Sequence, residues 1–205
     1  MLRIVIFSVL ALAVIAGAAG IFHLYRVSAR NKKEMSEYVS GNGTVNKNFG
    51  KVLVVYYSLS GRTRDIAERI QAKTGSDIYE IKTAREIKTS PSFCLKIKSD
   101  LKNGIYPELQ GDLPDMGRYD IIFVGSPIWW YTAATPVLAF LSKADFKAKK
   151  VVPFSTQGSN AGTFLEDFVK MAKNANVTEY RSFNNIGKEY DKAVDNKISA
   201  WLNGL

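Results

Sequence analysis

The sequence predicts an α/β protein built on a parallel sheet with helices on both faces. Three observations carry this expectation. From Lys51 onward, short runs rich in Val, Ile, Phe and Tyr alternate with helical patterns. The strongest runs are continuously apolar rather than alternating, as strands buried on both faces require. Segments rich in Ser, Thr, Gly, Asn and Pro then break the runs.

Taken in order, residues 52–57 form the first strand and 63–73 the first helix, with Ile66, Ala67 and Ile70 as its apolar stripe. Residues 77–82 are a short second strand. A long polar stretch over 83–117 holds a helix at 93–101. Residues 119–125 (Tyr-Asp-Ile-Ile-Phe-Val-Gly) are the third strand, and 136–142 a helix after a turn at Thr132-Ala133-Ala134. A fourth strand at 150–154, a helix at 161–172 and a fifth strand at 177–183 follow. The terminal helix, 188–202, carries Tyr190, Ala193, Val194, Ile198, Trp201 and Leu202 on one side. No internal repeat is visible.

At 205 residues with 46% hydrophobic content, the chain is long enough for one substantial core plus an appendage. Cys94 is the only cysteine and His23 the only histidine. An intramolecular disulfide, a Cys-rich metal site and a histidine-based triad are therefore excluded. Cys94 reads as an ordinary, partly buried residue rather than a redox thiol. No metal site and no acid–base catalytic residue stands out. The formal net charge of +9 invites nucleic acid as a partner. The distribution argues against it: residues 51–205 carry +5, with both signs interspersed.

Residues 4–22 contain no charge and are long enough to span a bilayer as a helix. Arg3 precedes them; Arg26, Arg30, Lys32 and Lys33 follow. Residues 1–25 are expected to be a single-pass transmembrane anchor, or a signal segment cleaved near Ala16-Gly17-Ala18. The apolar stretch continues past that point to Tyr25, which favours the uncleaved anchor. The basic residues after it lean the large domain towards the cytoplasm, with export of the domain as the alternative. Residues 26–50, polar and rich in Gly and Asn, read as a flexible linker to a domain at 51–205.

In a doubly covered parallel sheet, ligands bind beyond the carboxyl ends of the strands. Three loops lie there. Ser58-Leu59-Ser60-Gly61-Arg62-Thr63 leads from a strand to a helix N-terminus, whose unpaired N–H groups and dipole favour a phosphate. Pro127-Ile128-Trp129-Trp130-Tyr131 places three successive aromatics in a turn, which suits recognition of a flat ligand. Ser155 to Gly162 is rich in small residues and offers polar backbone groups. Together these suit a phosphorylated, planar ligand.

Those loops, with the Tyr-Asp-Ile-Ile-Phe-Val-Gly-Ser-Pro-Ile-Trp-Trp and Pro-Phe-Ser-Thr-Gln-Gly-Ser-Asn-Ala-Gly segments, carry a resemblance to the flavodoxin family, in a variant with a Trp-Trp loop. The resemblance covers about three quarters of the chain, from Lys51 to Leu205. It implies a flavodoxin-like three-layer sandwich, with a five-stranded parallel sheet in the order 2-1-3-4-5, and non-covalently bound FMN. On that basis Ser58, Ser60, Gly61, Arg62 and Thr63 would hold the phosphate. Pro127, Ile128, Trp129, Trp130 and Tyr131 would line the isoalloxazine, and Thr156, Gln157, Gly158 and Gly162 would border its polar edge. The implied activity is electron transfer or flavin-dependent reduction at a membrane, with a redox protein or a small acceptor such as a quinone as partner. The competing expectation is a flavodoxin-like binding or regulatory module with weak or no FMN binding. This chain departs from familiar flavodoxins, which are acidic, in its net positive charge.

Overall fold

The computed structural model describes residues 2–184 and 187–205. The described residues form six α-helices and seven strands: α1 (Leu2–Ser36), β1 (Val52–Tyr56), α2 (Arg62–Thr74), β2 (Asp77–Glu80), α3 (Phe93–Lys102), β3 (Ile121–Trp129), β4 (Thr132–Ala133), α4 (Thr135–Lys143), β5 (Lys150–Gln157), α5 (Phe164–Met171), β6 (Asn176–Val177), β7 (Arg181–Asn184) and α6 (Asp191–Gly204). The sheet runs β2-β1-β3-β5-β6, with β7 also parallel to β5 and β4 folded back antiparallel on β3. Because β6 and β7 lie along the same edge of β5, the core order is the expected one.

The expected fifth strand is thus two pieces. Lys150 pairs Asn176 and Phe154 pairs Arg181, so the edge uses five residues where β5 uses four. One extra residue breaks the ladder, as at a bulge.

Period-two alternation within the apolar runs feeds two cores. Leu53, Val55 and Tyr57 join Ile122, Val124 and Val151 on the face covered by α4 and α5. Val52, Val54 and Tyr56 join Phe123, Val152 and Phe154 against Ile66, Ala67 and Ile70 of α2 and Ile198, Trp201 and Leu202 of α6. Both helical stripes read from the sequence face that second core.

Residues 26–50, expected to be flexible, are helical through Ser36 and then lie along α6. Met35 and Phe49 are buried in the second core, with Tyr38 and Val45 packed against it. Side chains of α6 satisfy the segment's backbone carbonyls. Asn196 Nδ2 donates to Tyr38 O at 2.7 Å, Ser199 Oγ to Gly43 O at 2.8 Å and Asn203 Nδ2 to Thr44 O at 3.0 Å. Positions 196, 199 and 203 share one helix face. Composition suggested flexibility because the segment has no ladder of its own; its partners are more than 150 residues away. Phe49→Ala is expected to lower the unfolding free energy by about 3–5 kcal/mol. Denaturant titration of the detergent-solubilised chain reads this, and a loose tether would give no change.

Candidate functional site

The three loops meet at the carboxyl ends of β1, β3 and β5. After β1, the chain turns at Gly61, whose φ of 85° is left-handed, and enters α2 with no side chain capping the helix. The first-turn N–H groups are therefore open to a ligand. Ser60, Gly61 and Arg62 line a cavity shared with Thr156 of β5, Met35 of α1, Phe183 and Asn184 of β7, and α6. Its walls carry Arg62, Arg69, Lys188 and Lys197 against Asp65 and Asp191. That balance suits an anion.

Thr63 Oγ1 and Thr156 Oγ1 share a buried hydrogen bond of 2.8 Å, which ties the first loop to β5. One hydroxyl of such a pair keeps its own proton uncommitted. Ser58 lies on the other side of the loop, beside Tyr57 and Leu59, and its buried Oγ has no partner in the protein.

The aromatic segment, expected as a loop after the third strand, is a β-hairpin. β3 continues through Trp129, and Ile128 pairs Ala133 while Trp129 pairs Thr132. The two-residue turn between them is Trp130-Tyr131, with φ of 49° and 68°. Positive φ at both central positions is the type I′ requirement, usually met by Asn-Gly. Two bulky residues there are strained, and the surroundings hold them. Thr163 N donates to Tyr131 O at 2.8 Å; Thr132 Oγ1 and Thr163 Oγ1 both donate to Asp167 at 2.7 Å. Gly162 packs so closely on Tyr131 that it has no room for a Cβ.

The three aromatics differ in role. Trp129 packs edge-on between Tyr57 at 5.7 Å and Phe93 at 5.3 Å. Trp130 is 41% exposed, donates Nε1 to Cys94 O at 2.7 Å and carries Lys98 Nζ 4.8 Å above its ring. Tyr131 is 57% exposed. Ile128, Trp129, Trp130 and Tyr131 line a second hollow with Gln157 and Gly158. Pro127 sits beneath it, paired with Thr156. Cys94 lines this hollow and is exposed, not partly buried as expected. Of the predicted residues, Ser60, Gly61, Arg62 and Thr156 line the first hollow and Ile128, Trp129, Trp130, Tyr131, Gln157 and Gly158 the second, the two adjoining at Thr156 and Gln157, whereas Ser58 lines a separate hollow beside Glu80.

Polar links run outward from the third loop. Ser155 Oγ meets Tyr180 OH at 2.5 Å and donates to Gln157 Oε1 at 3.0 Å. Asn184 Nδ2 donates to Glu34 of α1 at 3.1 Å, and Glu34 pairs with the buried Lys197 at 2.5 Å. Burial holds the Lys197 pKa below its usual range, with Glu34 opposing. Met35, Asn184 and Lys197 were missed from the sequence. They come from the supposed linker, an edge strand and the terminal helix, and nothing local marks them.

Replacing Trp130-Tyr131 by Asn-Gly removes two strained positions and is expected to stabilise the domain by about 1–2 kcal/mol in denaturant titration. Burial, followed by the charge of Glu80, pushes the Tyr57 pKa up to about 12. The folded chain then keeps a proton that the unfolded chain loses near pH 10, so stability falls as pH rises above about 10. Tyr57→Phe is expected to make that alkaline fall shallower, measured as denaturation midpoints at about pH 9 and about pH 11.

Several solved structures resemble this chain in overall fold. A flavoprotein from Lactobacillus acidophilus NCFM, solved in complex with FMN, is 29% identical; the match covers 64% of this chain and 92% of that one, with a TM-score of 0.58. The apo-form of the Lactobacillus acidophilus flavoprotein is 31% identical, with 70% and 96% covered and a TM-score of 0.51. A Bacteroides eggerthii protein assigned as a flavoprotein is 28% identical, with 75% and 96% covered and a TM-score of 0.64. No curated protein sequence matches the chain. The flavodoxin family model matches residues 51–204, three quarters of the sequence, and the chain therefore belongs to the flavodoxin family.

Proposed function

We infer that this chain is an FMN-binding redox protein held at a membrane, acting in electron transfer or flavin-dependent reduction. The carrying observation is the continuity of the site. An uncapped, glycine-led helix N-terminus in a cationic cavity adjoins, through Thr156 and Gln157, a hollow walled by Trp130 and Tyr131. A phosphate at one end and a flat ring system at the other match those two environments. Bound FMN is also what the Lactobacillus acidophilus relative contains.

The residues fit the group on the protein's own evidence. The open N–H groups of α2 and the spare proton of the Thr63–Thr156 pair are donors awaiting an anion. Ser60, Gly61 and Arg62 complete the phosphate end. Trp130 and Tyr131 supply exposed ring faces, with Ile128 and Pro127 beneath and Gln157, Gly158 and Gly162 along the rim.

When bound, the flavin supplies the one- or two-electron chemistry. The chain orients it, excludes water on the Trp129 side and sets the local charge. With Arg69 paired to Asp65 and Asp191 and Lys197 to Glu34, the phosphate end, which also carries Arg62 and Lys188, keeps a small positive excess, opposite in sign to an acidic carrier. The membrane part of the reading rests on α1. Ile15, Phe22, Leu24 and Tyr25 are each more than 60% exposed, and none of the apolar window is buried against the domain. Such a surface calls for lipid around it. The basic residues after Tyr25 lean the domain towards the cytoplasmic side. A quinone is the acceptor that this location favours.

The purified chain is expected to quench added FMN fluorescence; a colourless preparation that leaves it unquenched supports the binding-module reading instead. NADPH-driven quinone reduction without an added reductase marks an enzyme, and its absence a carrier. Trp130→Ala is expected to weaken FMN about tenfold with little loss of stability, whereas Trp129→Ala costs about 3–5 kcal/mol of stability. Ser58→Ala is expected to raise the stability of the apo-protein by up to about 1 kcal/mol, because a buried, unpaired hydroxyl is removed; a denaturant titration of the apo-protein checks this.

A further inference from the structure

We propose that the Trp130–Tyr131 hairpin tip and the adjoining end of α3 form a docking surface for an anionic lipid bilayer. The contact is held in place by the rigid continuation of α1 out of the membrane. This inference rests on the membrane reading of residues 4–22.

α1 is one uninterrupted helix from Leu2 to Ser36, and its last two turns are fixed to the domain rather than tethered near it. Asn31 and Met35 are buried. On an adjacent stripe, Arg30 donates to Ser159 O, while Glu34 pairs with Lys197 and accepts from Asn184. Contacts spaced four residues apart along one face fix both the direction and the rotation of a helix. The height of the domain above the apolar segment is therefore set.

That height is small. Five residues of helix separate Tyr25, at the end of the apolar stretch, from Arg30, a rise of about 8 Å. The headgroup layer of one leaflet is about 5–8 Å deep. Ser159, held by Arg30, consequently lies at the outer margin of the headgroups. Ser159 and Asn160 form one lip of the aromatic hollow, and Trp130 and Tyr131 form the other.

The chemistry of the second lip suits that position. Trp130 and Tyr131 are exposed, amphipathic rings of the kind that partition into a membrane interface. Leu95, 70% exposed, lies next to Cys94, whose carbonyl receives the Trp130 indole. Lys98 sits over that same ring. Arg26, Arg30, Lys32 and Lys33 form a collar around the base of the helix, with no acidic residue among positions 26–33. Exposed aromatics flanked by cations fit an interface rich in anionic headgroups. The strained turn has a purpose in this arrangement: it projects two rings outward that Asn-Gly would not supply.

The single native cysteine provides the test. Cys94 is exposed beside Trp130 and accepts an environment-sensitive fluorophore in the full-length chain. The labelled chain is reconstituted into vesicles of phosphatidylcholine and phosphatidylglycerol bearing a headgroup-attached quencher. A label on Lys173→Cys in a Cys94→Ser background reports the opposite end of the sheet, just before β6. The expected result is quenching at Cys94 and little at position 173. Omitting phosphatidylglycerol, or inserting a Gly-Ser stretch between Arg26 and Arg30, should reduce the quenching at Cys94. If the chain resists alkaline carbonate extraction but both labels are quenched alike, or Cys94 is not quenched, the docking surface is overturned and the anchor stands. Release into the carbonate supernatant overturns the membrane reading itself.

Discussion

Everything in the candidate site depends on β3 being longer than its neighbour. β1 ends at Tyr56, opposite Gly125, whereas β3 runs on through Trp129. Gly125 accepts from Tyr57 N at 3.1 Å; two residues later Pro127 faces the same side, where β1 has already ended. The missing N–H of Pro127 therefore leaves no ladder bond unmade, and proline is tolerated in the middle of a sheet. Beyond it, the strand has only β5 as a parallel partner, so it folds back on itself as the hairpin with β4. The edge that β1 vacates is taken by β4, and Ala134 N donates to Pro127 O there at 3.1 Å. One strand overshooting another thus creates both halves of the site: a helix N-terminus set back in a recess and an aromatic tip standing above it.

Two costly features hold this geometry, and each is over-determined by its neighbours. The left-handed Trp130 and Tyr131 are fixed by Thr163, Asp167 and the close approach of Gly162. The buried Lys197 is met by Glu34 and by the Ser182 carbonyl at 2.5 Å, and its ammonium lies 4.8 Å from the Phe183 ring. A buried ion pair adds little net stability, yet removing one partner leaves an unpaired charge at a cost of about 3–5 kcal/mol. Its effect here is on specificity. It ties α1 to α6 through Glu34 and Lys197.

What was legible in the sequence follows from range. The continuous apolar run of 52–57 and the stripe of Ile66, Ala67 and Ile70 encode burial locally, so strands and helices could be read from them, whereas the sheet order followed from the family resemblance. The Ser58–Thr63 loop was equally readable, because glycine at a left-handed helix entry is a local requirement. The hairpin was hidden because Trp-Tyr is a poor I′ turn by its own propensity; it is held by Asp167 and Gly162, which lie more than 30 residues on. Residues 37–50 were misread for the same reason. Their order comes from Asn196, Ser199 and Asn203, a polar stripe on α6 that looks like an ordinary solvent face until the chain covering it is known. Cys94, expected to be partly buried, is exposed on the side of α3 that meets Trp130.

The N-terminal segment changes how the family fold is used in this chain. The family match begins at residue 51, but the second core is incomplete without Met35 and Phe49, and one cavity wall is made by Met35. Displacing the end of α1 would uncover apolar surface, separate Glu34 from Lys197 and withdraw Arg30 from the third loop in a single motion. Those losses are of different kinds but share one helix face, so they are made or lost together. The apolar residues 4–22, the packing of α6 and the rim of the candidate site at Ser159 and Asn184 are accordingly three ends of the same rigid element. A ligand that orders the third loop favours the docked helix by the same free energy with which the docked helix favours that ligand.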